Sequence, residues 1–401
     1  MSSNAGPDIV QDGLVFKYDT GDGKSYKGEP TENLAPSGDR TASTSLQRQG
    51  YHQEKWYYSL LTNTLGRKDI IKLYVDPSGN TSQPYADFGF QAYKSGGSQV
   101  GDVYTITFDY YVAKNTNTPS CIIAYQNGYK TPSSASVATF SAETTVDLDS
   151  GWKRVSRTAT ITAAGATFWR FGLSSDNNET EVYVDNFQVE LKSHATPFVD
   201  GTRSATQGLL DRTGNSTIDL SNVSFDSNAQ ITFDGTDDHI ELTSNGFGEF
   251  NFQTWTVESW VKFDTITGNH VIFSYDYTSH SQPYYSTHLR TNGAGKLYLM
   301  WNNGTTYRAL NTLNNAVSSG EWYHLVGVYE SGRQQIFLNG ESLVSSTRTD
   351  TITFYNQEVW IGRANFGGYL DGDIKVLRHY NRALTAKEVL QNYRATKSRF
   401  S

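Results

Sequence analysis

The run Ile231-Thr232-Phe233-Asp234-Gly235-Thr236-Asp237-Asp238 decides the fold expected of this 401-residue chain, together with Gly368-Tyr369-Leu370-Asp371-Gly372-Asp373-Ile374. The sequence between the two runs is rich in strand signals. Every second residue from Trp255 to Phe263 shares one face of an alternating pattern, which predicts a β-strand. The pair Asn339-Gly340 follows an apolar stretch and predicts a two-residue hairpin turn.

One helix is predicted, close to the end of the chain. Thr385 and Glu388 have the spacing of a capping box, in which each side chain accepts a hydrogen bond from the backbone of the other residue. Val389, Leu390 and Tyr393 share one face of the helix that would follow. This part of the sequence therefore predicts strands followed by a single short helix.

These runs, with Tyr380-Asn381-Arg382-Ala383-Leu384-Thr385-Ala386-Lys387-Glu388-Val389 after them, resemble the laminin-G/concanavalin A-like lectin/glucanase superfamily. The resemblance is to the form found in tailed-phage virion proteins. It implies a β-sandwich that recognises glycans or other surfaces and rarely carries out chemistry. The main question about function is therefore what the chain binds.

The composition supports an all-β protein and argues against several functions. Aromatic residues make up 13% of the chain and charged residues only 18%, which is typical of a β protein with enough apolar surface to fill its cores. The net charge of −8, without a basic run, argues against nucleic-acid binding. No apolar run of about 18 residues occurs, so no membrane insertion is expected. Cys121 is the only cysteine, which excludes an intrachain disulfide.

The opening segment predicts a discontinuous domain. Asp12-Gly13-Leu14-Val15-Phe16-Lys17-Tyr18-Asp19 resembles the first strand of the sandwich, which would normally continue into Leu210-Asp211-Arg212-Thr213-Gly214-Asn215. Roughly 180 residues separate the two, so we predict a sandwich built from residues 8–32 and 200–401 with a second domain, residues 33–199, inserted after its first strand. The alternative is a free N-terminal arm followed by two domains in series.

The inserted domain carries a shift in its apolar pattern. Val182 and Val184 share one face, and Phe187 and Val189 then take the opposite parity, so a β-bulge is expected at Asp185-Asn186. This strand resembles the final strand of jelly-roll carbohydrate-binding modules. The expected fold class is all-β, with two β-sandwich (jelly-roll) domains. One is a concanavalin-like sandwich, the second jelly roll is inserted after its first strand, and one short helix lies near the C-terminus.

The sequence predicts no catalysis. Glucanases of the resembled superfamily place carboxylates on one strand in a Glu-x-Asp-x-x-Glu arrangement, and the sequence lacks it. Asp371 and Asp373 alternate on one strand, but the third carboxylate is missing. No nucleophile elbow, P-loop or clustered His pair occurs either. The chain is therefore not expected to be an enzyme.

Four aspartates are candidate ligands of a structural Ca²⁺, an ion that takes several oxygen ligands. In the jelly-roll modules that the inserted domain resembles, an Asp of the final strand often binds Ca²⁺, and Asp185 stands at that position. In the sandwich, Asp234, Asp371 and Asp373 are expected to approach one another, although Lys375 replaces an acidic residue that many relatives carry. The alternative at both places is that these carboxylates hydrogen-bond within turns.

Clusters of aromatic residues are the candidate glycan contacts. A sugar site needs ring faces for the apolar side of a pyranose and amide or carboxylate groups for its hydroxyls. Core packing or subunit contacts would use the same residue types, and this alternative stays open for each residue. The candidates are Tyr277, Tyr284, Tyr285, His288, Trp301 and Tyr307 in the sandwich, and Trp56, Tyr58 and Tyr85 in the inserted domain.

The sequence therefore predicts a structural protein on the exterior of a phage virion, as a head decoration, a fibre or a tail-associated protein that mediates surface or glycan attachment. The alternatives are a glycan-binding receptor adhesin of the tail and the binding domain of a glycosidase. The expected partners are other virion proteins, glycans of the host surface, and further copies of the chain, with a trimer favoured. The N-terminal residues do not have the pattern of a secretion signal, which fits synthesis in the host cytoplasm.

Overall fold

The computed structural model of the protein describes residues 8–35, 56–61, 65–67, 70–75, 85–91, 95–115, 120–122, 138–140, 151–164, 168–174, 180–244, 250–276, 285–354 and 358–400. The chain divides into two compact units. Unit 1 is made of Met1–Pro30 and Ser204–Ser401, and unit 2 is Thr31–Arg203. The sequence had placed the two boundaries after residues 32 and 199, whereas the chain passes between the units after residues 30 and 203.

The described strands of the first half of the chain are β1 (Leu14–Asp19), β2 (Thr31–Glu32), β3 (Trp56–Leu61), β4 (Ile70–Val75), β5 (Tyr85–Gln91), β6 (Val103–Asn115), β7 (Ser120–Ile122), β8 (Ala138–Phe140), β9 (Lys153–Ile161), β10 (Phe168–Ser174), β11 (Thr180–Glu190) and β12 (Thr202–Arg203).

The second half contributes β13 (Ser216–Asp219), β14 (Ser224–Phe225), β15 (Ile231–Asp234), β16 (Ile240–Ser244), β17 (Trp255–Phe263), β18 (His270–Asp276), β19 (Tyr285–Asn292), β20 (Lys296–Asn302), β21 (Tyr307–Asn311), β22 (Trp322–Glu330), β23 (Arg333–Leu338), β24 (Glu341–Ser346), β25 (Val359–Ile361), β26 (Asp371–Tyr380) and the helix α1 (Ala386–Thr396). None of the helices among the described residues is long and apolar enough to cross a bilayer.

Unit 1 is a sandwich of two antiparallel sheets. The eight-stranded sheet has the order β14-β15-β26-β17-β22-β23-β24, with β1 also paired to β26, and the seven-stranded sheet has the order β13-β16-β25-β18-β19-β20-β21. Apolar side chains of both sheets, among them Trp255 and Phe263 from one and Leu289 and Trp301 from the other, pack into a single core. The predicted fold class, all-β with β-sandwich domains and one short helix, is confirmed.

The opening strand belongs to the same sheet as the closing strand. In the antiparallel pair of β1 and β26, Phe16 lies opposite His379 and Tyr18 lies opposite Leu377. Phe16 and Tyr18 are fully buried in the core of unit 1. This long-range pairing is the contact that a discontinuous sandwich requires.

Two local predictions for unit 1 are confirmed. Asn339 and Gly340 connect β23 to β24 with φ angles of 52° and 83°, the left-handed values that a two-residue hairpin turn uses. The helix α1 begins after Thr385, whose side chain accepts a hydrogen bond from the Glu388 backbone while the Glu388 side chain accepts one from the Thr385 backbone. Turn chemistry and capping chemistry are local, so the sequence alone is enough to place them.

Unit 2 contains a six-stranded sheet, β3-β4-β11-β6-β9-β8, and a three-stranded sheet, β5-β10-β7. The predicted bulge in β11 is confirmed, because the register of β11 against β6 shifts between Asp185 and Gln188, and Asn186 has φ 51°. Val184 before the bulge and Phe187 after it are both buried. The bulge therefore keeps the apolar residues of β11 on one side of the sheet although their parity changes.

The chain enters and leaves unit 2 along adjacent strands. Thr31 of β2 lies opposite Arg203 of β12, and Glu32 lies opposite Thr202. The Thr31 hydroxyl also donates a 2.7 Å hydrogen bond to the buried carboxylate of Glu190 at the end of β11. The two ends of unit 2 are thus fixed to each other and to its main sheet.

Candidate functional site

Six of the nine candidate contact residues have side chains outside the part of the chain that the structure describes. Tyr277 and Tyr284 lie outside the described residues. For four others the structure describes the backbone alone: Tyr285 in β19, Trp56 and Tyr58 in β3, and Tyr85 in β5. Their role in binding stays a prediction.

Trp301 and His288 have fully buried side chains, so neither presents a ring face to a ligand. The Trp301 ring packs 5.1 Å from the ring of Tyr329 in the core, and its Nε1 donates to a carboxylate oxygen of Asp350 at 3.3 Å. The His288 ring lies 5.7 Å from that of Phe366. The interpretation of these two as glycan contacts was wrong, because both are covered from solvent. Tyr307 differs from them, with 58% of its surface exposed.

Asp185 has cationic neighbours from the protein itself. Arg67 Nη1 lies 3.3 Å from Asp185 Oδ2 and 2.6 Å from Asp109 Oδ2. Arg154 Nη1 donates to the other oxygen of Asp109 at 3.0 Å. Two guanidinium groups thus supply the positive charge that Ca²⁺ would bring, so the residues around Asp185 do not fit a cation site.

The aspartates of unit 1 also have partners. Asp373 lies 2.8 Å from Lys262 Nζ and 3.5 Å from Lys375 Nζ, so its charge is balanced by lysines. Asp371 is paired through the backbone with Asp234. Asp234 accepts hydrogen bonds from two backbone N–H groups of the following turn at 2.8 and 3.3 Å. For Asp234 and Asp373, the turn and ion-pair roles describe the geometry better than a metal site shared with Asp371.

The acidic turn itself brings three carboxylates together. Oxygen atoms of Asp234, Asp237 and Asp238 lie within 4.8 Å of one another. Asp238 is buried, and its pKa is raised by burial and by the charges of Asp234 and Asp237, although the Ser224 hydroxyl donates to it. Neighbouring carboxylates are common in tight turns, and the hydrogen bonds within this one explain the arrangement.

An open aromatic surface lies in unit 2, on the outer face of its six-stranded sheet. Tyr104, Ile106, Phe108 and Tyr110 of β6 turn inward and are buried, so Tyr111 turns to the opposite face. Tyr183 of β11 lies directly opposite Tyr111, on the same face. Their rings are nearly parallel, at an interplanar angle of 13° with centroids 6.1 Å apart. Adjacent strands in register thus place two tyrosines side by side.

A tryptophan extends this pair. Trp152 lies just before β9, after Gly151, whose φ of 133° is unfavourable for other residues. Its ring lies 5.8 Å from that of Tyr111. Tyr111, Trp152 and Tyr183 are all half-buried, so each is held by its neighbours and still reaches solvent. We call these three residues the aromatic patch.

Charged and polar groups surround the aromatic patch. The Arg67 guanidinium lies 4.0 Å from the centre of the Trp152 ring, which is a cation–π contact. The Tyr183 hydroxyl donates to the Glu181 carboxylate, and this hydrogen bond, helped by partial burial, raises the pKa of Tyr183 to about 12. Glu181 is also 2.7 Å from Lys72 Nζ. Hydrogen-bond donors and acceptors thus lie beside the ring faces.

Another part of this outer face is covered. Thr107, Gln188 and Glu190 point to the same side of the sheet as the aromatic patch but are fully buried. The segment after β11 lies over them, with the Val199 N–H donating to Gln188 Oε1 at 2.7 Å and the Thr196 N–H donating to Glu190 Oε2 at 3.1 Å. Among the described residues, the aromatic patch lies beside the part of this face that the segment after β11 covers.

Sequence reasoning missed the aromatic patch, although part of its signal was present. The alternation that buries Val182 and Val184 also directs Tyr183 outward, and the same logic applies to Tyr111 in β6. Nothing local shows that these two strands are neighbours in the register that pairs Tyr111 with Tyr183. The pairing is a property of the tertiary structure, and it brings rings that are far apart in sequence together on one surface.

The comparisons with known proteins concern the fold. Residues 234–390 match a family model described as the concanavalin A-like lectin/glucanases superfamily. The match supports the concanavalin-like domain that the sequence predicts in this part of the chain. No curated protein matches the chain in sequence.

Solved structures are similar to part of the chain. One is the receptor binding domain of botulinum neurotoxin C/D mosaic serotype, at 14% identity and a TM-score of 0.38, with 47% of this chain and 48% of that chain covered. Another is domain 4 of an extracellular arabinanase from Geobacillus stearothermophilus, in complex with arabinotriose, at 17% identity and a TM-score of 0.36, with 47% of this chain and 93% of that domain covered. The chain spans about half the length of the neurotoxin chain it matches.

Proposed function

We propose that the protein is a non-catalytic attachment protein that binds glycans through the aromatic patch of unit 2. The observation that carries the proposal is a set of three half-buried rings in contact on one sheet face: Tyr111, Trp152 and Tyr183. Ring faces of this kind stack on the apolar side of a pyranose, and the adjacent Glu181, Lys72 and Arg67 groups suit its hydroxyls.

The rigidity of the aromatic patch also suits binding. Tyr111 and Tyr183 belong to the two central strands of a six-stranded sheet, so their positions are set by backbone pairing on both sides. The Tyr183 side chain is fixed further by its hydrogen bond to Glu181. Side chains that are already ordered lose little conformational freedom on binding, which favours affinity. A single patch of this size would still bind weakly, and many copies on one particle would compensate.

The setting we propose is the exterior of a phage virion, where the chain contacts other virion proteins, other copies of itself and glycans of the host surface. The resemblance of residues 231–238, 368–374 and 380–389 to tailed-phage proteins supports this setting. Antibodies raised against the chain are expected to label the outside of intact particles in electron micrographs. Absence of the chain from purified particles would contradict the setting and leave the glycan site to be tested separately.

A glycan array probed with the full-length protein tests the binding proposal. We expect a defined set of glycans to bind, and Trp152→Ala to lower their affinity by about tenfold, which corresponds to one stacking contact. Tyr307→Ala is the matched comparison, since this exposed ring is the described remainder of the sandwich site expected from sequence. Loss of binding in Tyr307→Ala, with Trp152→Ala unchanged, would move the site to unit 1. No binding by the wild-type protein would refute glycan attachment.

A glycosidase is the alternative with different chemistry. Any glycan that binds on the array is expected to remain intact after incubation with the protein, as measured by reducing-sugar release. Release of reducing ends, abolished by substitution of an acidic residue, would overturn the non-catalytic assignment.

A further inference from the structure

Arg363 in unit 1 has a guanidinium group without a polar partner among the described residues. Its carbon Cζ lies 4.4 Å from the centre of the Trp360 ring and 5.5 Å from that of Tyr369. Its Nε is shielded from solvent, and the guanidinium makes no hydrogen bond or ion pair with any residue that the structure describes. A guanidinium offers five N–H donors, and groups of this kind are normally paired when they are partly buried.

The fold holds Arg363 in this position. Trp360 belongs to β25, which lies between β16 and β18 in the seven-stranded sheet. The chain leaves β25 at Gly362, whose φ is 90° and where a Cβ would lie 2.6 Å from the Phe233 ring. This glycine turns the chain so that residue 363 lies over the outer face of the sheet. The Arg363 carbonyl then accepts a 2.8 Å hydrogen bond from the Ser274 hydroxyl, which fixes the backbone.

The two terminal nitrogens of Arg363 are the part of the group that a ligand can reach. The residue is half-buried, with Nε on the shielded side and the terminal nitrogens not shielded. The two rings remove water from the faces of the guanidinium and leave its end free. An anion with two oxygens in one plane can accept two parallel hydrogen bonds there.

Aromatic groups lie beside this end. Tyr369 is half-buried, and the ring of His239 lies 6.4 Å from it. Phe366 is at the tip of the tight turn closed by Ala364 and Gly367 and is 49% exposed. A ligand that joins a planar anion to a ring with an apolar face would use both features. We propose that Arg363 and Tyr369 form a binding subsite for the carboxylate of an acidic sugar.

The other charges near this subsite set its strength. The pKa of Glu358 is raised by burial and by the charge of Glu241, while Arg363 lowers it. Glu358 is therefore near Arg363 without forming an ion pair, and its charge weakens the attraction of Arg363 for an anion. Arg290, whose guanidinium lies 5.6 Å from the Phe366 ring, adds positive charge beside that ring.

The residues of the subsite differ from those of the aromatic patch, so each proposal can be refuted without the other. It belongs to unit 1, and it selects on charge, whereas the aromatic patch stacks on sugars of any charge. Together they would give a preference for acidic glycans over neutral ones.

Ligand-observed NMR titration of the full-length protein tests the subsite. The probes are the methyl glycosides of glucuronate, galacturonate and N-acetylneuraminate, each compared with its own methyl ester, which keeps the ring and removes the charge. We expect at least one acid to bind about tenfold more tightly than its ester, as a two-point charged contact implies. Arg363→Gln is expected to abolish the difference, and Arg363→Lys, which keeps the charge without the planar fork, to retain a smaller part of it.

Two further variants control the result. Arg348→Gln removes the same charge from an exposed position in unit 1 and is expected to leave the preference unchanged. Glu358→Gln is expected to tighten the binding of the acid about twofold, because it removes a repulsive charge. An acid and its ester that bind alike to the wild-type protein would overturn the proposal, as would a preference retained in Arg363→Gln. Loss of the preference in Trp152→Ala with Arg363→Gln unaffected would assign it to unit 2 instead.

Discussion

The outer face of the eight-stranded sheet in unit 1 and the outer face of the six-stranded sheet in unit 2 carry the same kinds of side chain with opposite outcomes. In unit 1, Trp260 turns away from the core, yet it is buried, because Phe400 stacks on it at 4.2 Å and Tyr393 at 5.8 Å. In unit 2, Tyr111 and Tyr183 turn away from the core and remain open to solvent. Alternation along a strand decides which face of the sheet a side chain occupies. Whether that side chain is buried depends on whether another segment of the chain packs over the face.

Charges follow the same rule. On the covered face, Glu258 is fully buried between Arg378 and His324, and it accepts a 2.6 Å hydrogen bond from Asn392 of the helix α1. Burial opposes the ionised form, but the Arg378 charge, His324 and the Asn392 hydrogen bond together outweigh it and lower the pKa of Glu258 to about 2. On the open face, Asp109 has two arginines that each keep about a quarter to a third of their side-chain surface exposed, 26% and 30%. The covered charges should therefore matter far more to stability.

The largest effect is expected for Glu258→Gln. This change leaves Arg378 buried without its counter-charge, and breaking a buried pair in this way costs about 3–5 kcal/mol. Asp109→Asn, on the outer face of unit 2, is the matched variant. Asp109 is itself buried, but its two arginines stay partly hydrated, so the expected loss is smaller, about 1–2 kcal/mol. Urea unfolding followed by tryptophan fluorescence measures both. Equal losses in free energy of unfolding for the two variants would show that burial does not make the Glu258–Arg378 pair more important to stability than the pairs of Asp109.

The second effect depends on pH and concerns the core of unit 1, on the inner face of the eight-stranded sheet. His379 is buried among Phe250, Phe273 and Trp255, at ring distances of 5.0, 5.4 and 6.1 Å, and this burial lowers its pKa to about 3. The unfolded chain takes up a proton below about pH 6.5 while the folded one does not, so stability falls as the pH decreases. Between pH 8 and pH 5 the loss from this residue is about 2 kcal/mol.

His379→Phe isolates that contribution, because it keeps an aromatic ring in the pocket and removes the titrating group. Its free energy of unfolding is expected to change less than that of the wild-type protein over the same pH range, when both are measured by urea titration at several pH values. An unchanged pH dependence would mean that other groups cause it. Below about pH 4.5 the protonation of Glu258 adds a further loss in both proteins.

The third effect concerns the C-terminal residues that pack on the outer face of the eight-stranded sheet. Phe400→Ala removes the ring that stacks on Trp260 and lies 5.1 Å from Trp322, and we expect a loss of about 1–2 kcal/mol. Phe366→Ala removes a ring that is 49% exposed and should change stability by less than about 0.5 kcal/mol. Thermal unfolding of both variants makes the comparison. A melting temperature unaffected by Phe400→Ala would show that the C-terminal segment does not contribute to the fold.

A smaller effect on stability than that of Phe400→Ala is expected in the aromatic patch. Tyr183→Ala removes a half-buried ring whose hydroxyl bonds to Glu181 at the surface, so the free energy of unfolding should change by less than about 1 kcal/mol. Urea unfolding beside Phe400→Ala measures this. A loss as large as that of Phe400→Ala would indicate that the patch is a structural core and not a binding surface.

The sequence was sufficient for features that depend on near neighbours. The turn at Asn339-Gly340, the cap at Thr385 and the phase shift at Asp185-Asn186 each depend on a few adjacent residues, and all three are confirmed. Alternation also assigns Trp255 to one face of β17 and Trp260 to the other. These inferences need no knowledge of which strands are adjacent.

The sequence was not sufficient where distant residues meet. Asp185 resembled a metal ligand until Arg67, 118 positions earlier, was found beside it. His288 resembled a contact residue, but the loop that carries Phe366 covers it. The aromatic patch depends on the register that sets Tyr111 against Tyr183. In each case the deciding partner is far along the chain, and pattern alone cannot identify it.

The most direct test of the account is a paired measurement of glycan affinity and melting temperature for Trp152→Ala and Phe400→Ala in the full-length protein. The account predicts that Trp152→Ala loses about tenfold in affinity for a glycan that the wild type binds and that its melting temperature falls less than that of Phe400→Ala. It predicts that Phe400→Ala keeps the affinity and melts several degrees lower, as about 1–2 kcal/mol implies. Wild-type affinity in Trp152→Ala, or equal loss of affinity in both variants, would contradict the claim that the uncovered face of unit 2 is the attachment site.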